Sequence, residues 1–219
     1  MDDANAQKAA GVRPWLSGGL SFVAGFADTA SFVGAAGIFC AHVTGNFVVL
    51  AAELARGARA DEWLKLATFP LFVAAVLRAT KVAATRSAGS ARTLMLVTAV
   101  LLAAAAGVGL LGHPTSGLAK TAIVSLLVLA MGTQNAMHRL HPALGPMTTV
   151  MTGNVTGFLV DAVGPKSSAQ SGKQRVGATI IAGFAFGCAA GAFGVAKLGF
   201  VVLVVPALVT LAVRARLPR

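Results

Sequence analysis

The chain has 219 residues, 56% hydrophobic and only 11% charged, with a mean hydropathy of +0.78. A soluble domain carries roughly a quarter charged residues because it must hydrate its surface, so most of this surface faces something other than water. The net charge of +11 would suit nucleic acid in a soluble protein. Here, however, the basic residues sit in short clusters between apolar stretches, the pattern that orients a membrane protein, and no nucleic-acid partner is expected.

Residues 1–14 are polar and carry Asp2 and Asp3, which predicts a cytoplasmic N-terminal tail. The apolar stretch 15–39 is too long for a signal-peptide core and reads as a retained first helix. A membrane span needs about 20 mostly apolar residues. Residues 64–83, 93–111, 118–137 and 176–196 meet or approach that length, and 198–213 falls slightly short. The runs 46–55 and 148–163 are ambiguous, each either a short span or a re-entrant half-helix. Residues 214–219 form a basic tail. The fold class is therefore all-α, a polytopic transmembrane bundle of six to eight helices. Whether six or eight segments cross, most of the 18 lysines and arginines fall on the N-terminal side. That places both termini in the cytoplasm of a bacterial-type inner (plasma) membrane.

The sequence repeats itself. Thr44-Gly45-Asn46 recurs 108 residues later as Thr152-Gly153-Asn154, and at the same offset Gly37 meets Gly145, Glu53 meets Asp161, and Lys65 meets Lys173. With one residue of slip, Asp28 meets Asn135, with Gln134 beside it. Two repeats, 15–111 and 118–213, are expected. Four crossings per repeat would leave the halves parallel; three plus a re-entrant segment would invert them. Transporters of both kinds place their solute at the repeat interface.

Asp28 lies in the apolar first helix, where a carboxylate costs about 2.5–3.5 kcal/mol on insertion scales. It must face a cavity or a partner, and facing Gln134 and Asn135 it would form an asymmetric polar site. Each Thr-Gly-Asn triplet precedes a short apolar helix. Thr and Asn are good caps and Gly permits close turns. A half-helix starting inside the membrane would also aim free N–H groups and a positive dipole end at a solute. The candidate binding set is thus Asp28, Thr44, Gly45, Asn46, Gln134, Asn135, Thr152, Gly153 and Asn154. His42 has no repeat mate and reads as a packing or interfacial residue. Glu53 and Asp161 are expected to pair with nearby cations such as Arg56 or Lys166. His138, Arg139 and His141 have poor spacing for a metal, and none is expected. Cys40 and Cys188 read as small embedded residues without a disulfide. Gly183, Gly187 and Gly191 form a small-residue stripe for a tight bundle contact or a homodimer.

Gly25-Phe26-Ala27-Asp28, His42-Val43-Thr44-Gly45-Asn46, Gly132-Thr133-Gln134-Asn135-Ala136 and Met151-Thr152-Gly153-Asn154 together resemble the YoaK-like family of bacterial membrane proteins, a domain of unknown function. The resemblance runs from about residue 15 to 213 and implies a multi-helix inner-membrane protein without an assigned substrate. No catalytic signature is present: there is no His-Glu-x-x-His, nucleophile elbow, P-loop or dinucleotide fingerprint. An enzyme is not expected, nor is a cofactor. The reading is a small-solute transporter or channel in the lipid bilayer, with its polar site between the repeats. The alternative is a non-transporting scaffold, partner subunit or lipid-binding bundle.

Overall fold

The computed structural model describes residues 13–57, 63–86, 89–111, 117–164 and 168–217. Most of the tail 1–14 therefore lies outside the described residues, as do Arg59, Lys166 and Arg219. The described chain is helical, without a strand: α1 Pro14–Gly34, α2 Gly45–Ala55, α3 Leu64–Thr85, α4 Ser90–Leu111, α5 Gly117–Leu140, α6 Met151–Val163, α7 Ser168–Leu198 and α8 Val204–Ala215. Two 3-10 turns, Pro142–Leu144 and Gly199–Leu203, complete it. A helix satisfies its own backbone groups, which is what a segment in lipid requires.

Five helical stretches among the described residues are long and apolar enough to cross a membrane, the last being the 46-residue Gln170–Ala215. That last stretch is folded in two. Gly199 takes φ +67°, and beyond the turn Val202 packs back on Gly194. The returning leg, Gly199–Ala215, spans roughly 28 Å as a 3-10 turn plus helix. It is a pass of the bundle in its own right, too short to register alone.

Side-chain contacts fix the direction of each pass. Gly183, Gly187 and Gly191 of α7 meet the carbonyls of Gly18, Phe22 and Phe26 in step, so α1 and α7 run parallel. On α8, Val213 packs at Gly19 and, just before it, Phe200 packs at Gly34, so α8 runs against α1. Gly109 of α4 also meets Phe200, while Arg92 Nη1 donates to Leu217 O and Arg214 Nε donates to Arg92 O. The helices α4 and α8 are therefore antiparallel. Ser17 Oγ donates to Leu144 O and Gln134 Nε2 to Leu20 O, which places the end of α5 beside the start of α1. Gly132 of α5 meets Phe72 and Ala75 of α3. The end of α3, at Ala79 and Val82, packs with the end of α5, at Ala136 and Leu140, beside the start of α1, so the described residues pass through the bundle six times, with α1, α4 and α7 one way and α3, α5 and α8 the other. Both ends of the described chain lie at one end of the bundle, where the Arg216 guanidinium sits over Trp15.

α2 and α6 are not passes. Only Asn46 and Leu50 of α2 are buried, and no residue of α6 is. They lie along the flank of the bundle with Phe47, Val48, Leu159 and Val160 facing outward. Each is preceded by a loop that turns back into the bundle.

Two expected helix boundaries change here. The first helix stops at Gly34 rather than 39, because Ala36 and Gly37 adopt positive φ and reverse the chain. The glycine stripe of α7 packs on α1, the tight bundle contact that was one of its two expected roles. The seventh helix also begins earlier than hydropathy suggests, since its first turns carry Gln170, Lys173 and Arg175.

Candidate functional site

The two inward loops are held by buried polar side chains in matching ways. In the first, residues 35–44, Asn46 is fully buried and grips Phe39 twice: Oδ1 accepts from Phe39 N at 2.8 Å and Nδ2 donates to Phe39 O at 2.8 Å. In the second, residues 141–150, Asn154 Nδ2 donates to Met147 O at 2.9 Å. Phe39 and Met147, like Asn46 and Asn154, are 108 positions apart. Gly37 and Gly145, also 108 apart, both take positive φ, +74° and +102°, a conformation glycine adopts at no steric cost. These are the bends at which each loop turns inward.

The Asn of each triplet is therefore a brace on its own loop, and Asn154 also lines a groove between α6 and α7. Asn46 Nδ2 additionally reaches Thr68 Oγ1 at 2.9 Å, so its capacity is used. Neither triplet caps its helix by a side chain: Thr44 precedes α2 without a cap bond, and Val150 occupies that place before α6.

Asp28 anchors the tip of the first loop. Its Oδ1 accepts from Ala41 N at 2.6 Å and from His42 N at 3.4 Å, and its Oδ2 lies 2.6 Å from His42 Nδ1. The carboxylate does not face Gln134 or Asn135, as sequence spacing suggested. It has a partner of its own, and burying it is compensated by three contacts. Gln134 does the corresponding work on the other loop, donating to Thr148 Oγ1 at 2.9 Å. His42 is thus a site residue that sequence reasoning set aside. No helical spacing links positions 28 and 42, and only the fold-back of the loop brings them together.

Both loop tips reach the middle of the bundle. The His42 ring makes an edge contact with Phe184, whose carbonyl faces Gly25. Met151, at the start of α6, packs on Val176 and Ile180, and Ile180 O accepts from Ser21 Oγ. Gly25 and Ser21 lie near the midpoint of α1. Between the tips is a cavity of about 270 Å³. His42, Thr44, Asn135, Thr149 and Thr152 give it polar groups, and Phe72 of α3 closes one side. Thr44, Asn135 and Thr152 belong to the expected set. Thr149, His42 and Phe72 do not, and Thr149 had no signal because its repeat mate is Ala41.

The flanks of the two loops differ. On the first, Lys65 Nζ lies 2.8 Å from Glu53 Oε2, with the Lys65 side chain 1% exposed, and with the Asn46–Thr68 bond this ties α2 to α3. Glu53 therefore pairs with Lys65 and not with Arg56. On the second, Asp161 and Lys173 line opposite sides of a groove of about 220 Å³ between α6 and α7, with Gly153 and Asn154. No ion pair joins them among the described residues; Asp161 O instead accepts from Gln170 and Gln174. Its expected partner Lys166 lies outside the described residues. His138 and His141 point to different neighbours, Gly145 O and Ser90 Oγ. Burial holds the His141 imidazole below its usual pKa range. Both cysteines are free.

The bundle of apolar helices with two inward loops defines a multi-pass helical membrane protein. The profile of a family described as proteins of unknown function, DUF1275, matches residues 16–215, and the chain belongs to that family. No curated protein and no solved structure matches the chain.

Proposed function

We propose that the chain is a small-solute transporter of the bacterial inner membrane, built from two inverted repeats with both termini cytoplasmic. The observation that carries this reading is the cavity of about 270 Å³ between the tips of two inward loops, each loop braced at equivalent positions. Under a two-fold axis in the membrane plane, α1, α2, α3 and α4 correspond to α5, α6, α7 and α8, with the directions of travel reversed throughout. Inverted halves with solute sites at mid-membrane, flanked by interrupted helices, are a recurring transporter plan. The cavity falls just below the ~300–1,000 Å³ of sites for drug-sized ligands, so the solute is small.

The inequality of the two flanks supplies a mechanism. The α2–α3 flank is bolted by Glu53–Lys65 and Asn46–Thr68, while the α6–α7 flank is parted at Asp161 and Lys173. In this reading the conformation is open toward the end that carries the termini. Exchange of the two arrangements, Asp161–Lys173 closing as Glu53–Lys65 opens, carries the solute across.

The test is thiol accessibility. In a Cys40→Ser, Cys188→Ser background, single cysteines at Thr44, Asn135 and Thr152 are exposed to a membrane-impermeant maleimide in intact cells and in inverted vesicles. Labelling at all three, faster from the cytoplasmic side, supports the reading. Unreactive sites beside a labelled control at Arg139 would replace the transporter by a sealed structural bundle.

A further inference from the structure

The polar groups of the cavity are not chemically neutral in their choice of solute. At α2 the first N–H groups turn back on the loop: Gly45 N donates to His42 O, Asn46 N to Val43 O and Phe47 N to Thr44 O. At α6 the first such bond is Asn154 N to Val150 O. Among the described residues, no loop carbonyl and no capping side chain takes the N–H groups of Met151, Thr152 and Gly153. A 13-residue helix thus presents its positive end, unfilled, beside the cavity.

A second observation points to a ligand there. Thr149, 4% exposed, lines the same cavity, and its Oγ1 has no hydrogen-bond partner. A buried hydroxyl without a partner costs about 1–3 kcal/mol, a cost that turning Oγ1 toward an acceptor placed in the cavity would remove. Asn135 and Thr152 add further donors, and no carboxylate lines the cavity. Its remaining walls include Ala41, Val43, Phe72 and Val150, which are apolar.

We propose that the cavity binds a small organic monoanion, its carboxylate at the start of α6 against Thr149 and its short apolar part against Phe72 and Val43. This rests on the transporter reading and names its substrate class. His42 adds a proton. With Nδ1 engaged by Asp28, a neutral imidazole offers Nε2 only as an acceptor, which repels an anion's oxygen. The protonated ring offers a donor there. Asp28 from α1 is the charged group on this ring. The thiols of Cys40 in the same loop and of Cys188 from α7, which packs on Gly25 beside Phe184, are the other titratable groups nearby. Phe39 and Phe184 meet the ring in T-shaped contacts. Anion binding is therefore stronger in acid, and one proton accompanies one anion.

The experiment uses the full chain reconstituted in phosphatidylcholine, with and without phosphatidylglycerol, and titrates propionate and benzoate against propionamide and benzamide at pH 6 and pH 8. The expected result is thermal stabilisation by the carboxylates and not by the amides, stronger at pH 6. Thr149→Val should weaken carboxylate binding by about 5-fold, the value of one hydrogen bond, and His42→Gln should abolish the pH dependence while leaving some binding. Equal stabilisation by acid and amide, or none by either, would overturn the proposal. So would stabilisation by phosphatidylglycerol alone, which would make the anion a lipid headgroup. If the thiol labels enter the cavity yet carboxylates fail, the substrate class falls and the transporter stands. If the labels do not enter, the transporter itself falls.

Discussion

The parallel contact of α1 and α7 is the closest in the molecule, and Gly187→Ala tests it. A Cβ at Gly187 would overlap Phe22 O and lie 2.9 and 3.0 Å from its carbonyl carbon and Cα. All three are backbone atoms of a neighbouring helix, so no rotamer change relieves the clash. The helices must separate, and with them the parallel contacts at Gly183 and Gly191. Overpacking by one methyl group in a tight site costs about 1–3 kcal/mol, and the backbone partner puts this case at the upper end. A loss of that size lowers Tm by about 6–12 °C in a chain of this length. Gly157→Ala is the matched control, because nothing lies within 4 Å of its added Cβ. Replacing that helix-interior glycine should be neutral or stabilise by up to about 1 kcal/mol. A third variant separates sterics from composition. At Gly18 the added Cβ meets the Thr179 Cγ2 methyl at 2.5 Å, a side-chain atom, so Thr179→Ala should rescue much of the damage of Gly18→Ala. Thermal unfolding in detergent, followed by tryptophan fluorescence or size-exclusion retention, reads all of these. Equal midpoints for Gly187→Ala and Gly157→Ala would refute the close approach of α1 and α7.

The remaining predictions concern the loops. Glu53→Gln removes the carboxylate from a Lys65 side chain that is 1% exposed. The cost should be about 1–3 kcal/mol, below that of a fully buried pair because the Glu53 side chain is 29% exposed. It should also loosen α2 from α3, so that a cysteine at Thr44 labels several-fold faster from the side opposite the chain ends; an unchanged rate would sink the proposed exchange of the two flanks. Asp28→Ala leaves the Ala41 N–H without its acceptor and should cost about 1–3 kcal/mol. Asp28→Asn keeps an oxygen for that N–H and should cost less than half as much, with thermal unfolding as the readout. A smaller loss for Ala than for Asn would refute the anchoring role.

The sequence carried the apolar lengths well, because hydropathy registers how long a segment can remain in lipid. It carried direction poorly. Residues 35–39 are as apolar as the helix before them, and only the positive φ at Ala36 and Gly37 turns them back toward Asp28. The likeness of the two Thr-Gly-Asn triplets has a structural counterpart at Asn46 and Asn154, since both bind a backbone group seven residues upstream, a local geometry that the same short motif can reproduce. The roles inside that motif were not legible. Thr faces the cavity, Gly enters the first helical turn and Asn braces the loop, a division set by which way each side chain leaves the helix. The His42–Asp28 pair and the Glu53–Lys65 pair arise from chain reversal and from packing of α2 on α3, and neither spacing carries a helical signature.

Four polar side chains outside the cavity serve one physical need. Non-helical backbone at membrane depth survives only where protein or a water-lined space satisfies its N–H and C=O groups. Asp28 serves Ala41 and His42, Asn46 serves Phe39, Asn154 serves Met147 and Ser17 serves Leu144. A bundle selected only for inert packing could avoid this requirement by continuing α1 into a turn and a plain helix. Keeping two loops inside, each held by its own set of polar side chains, is justified by what their tips enclose: a small cavity with unfilled hydrogen-bond donors on one side and a carboxylate-linked imidazole on the other.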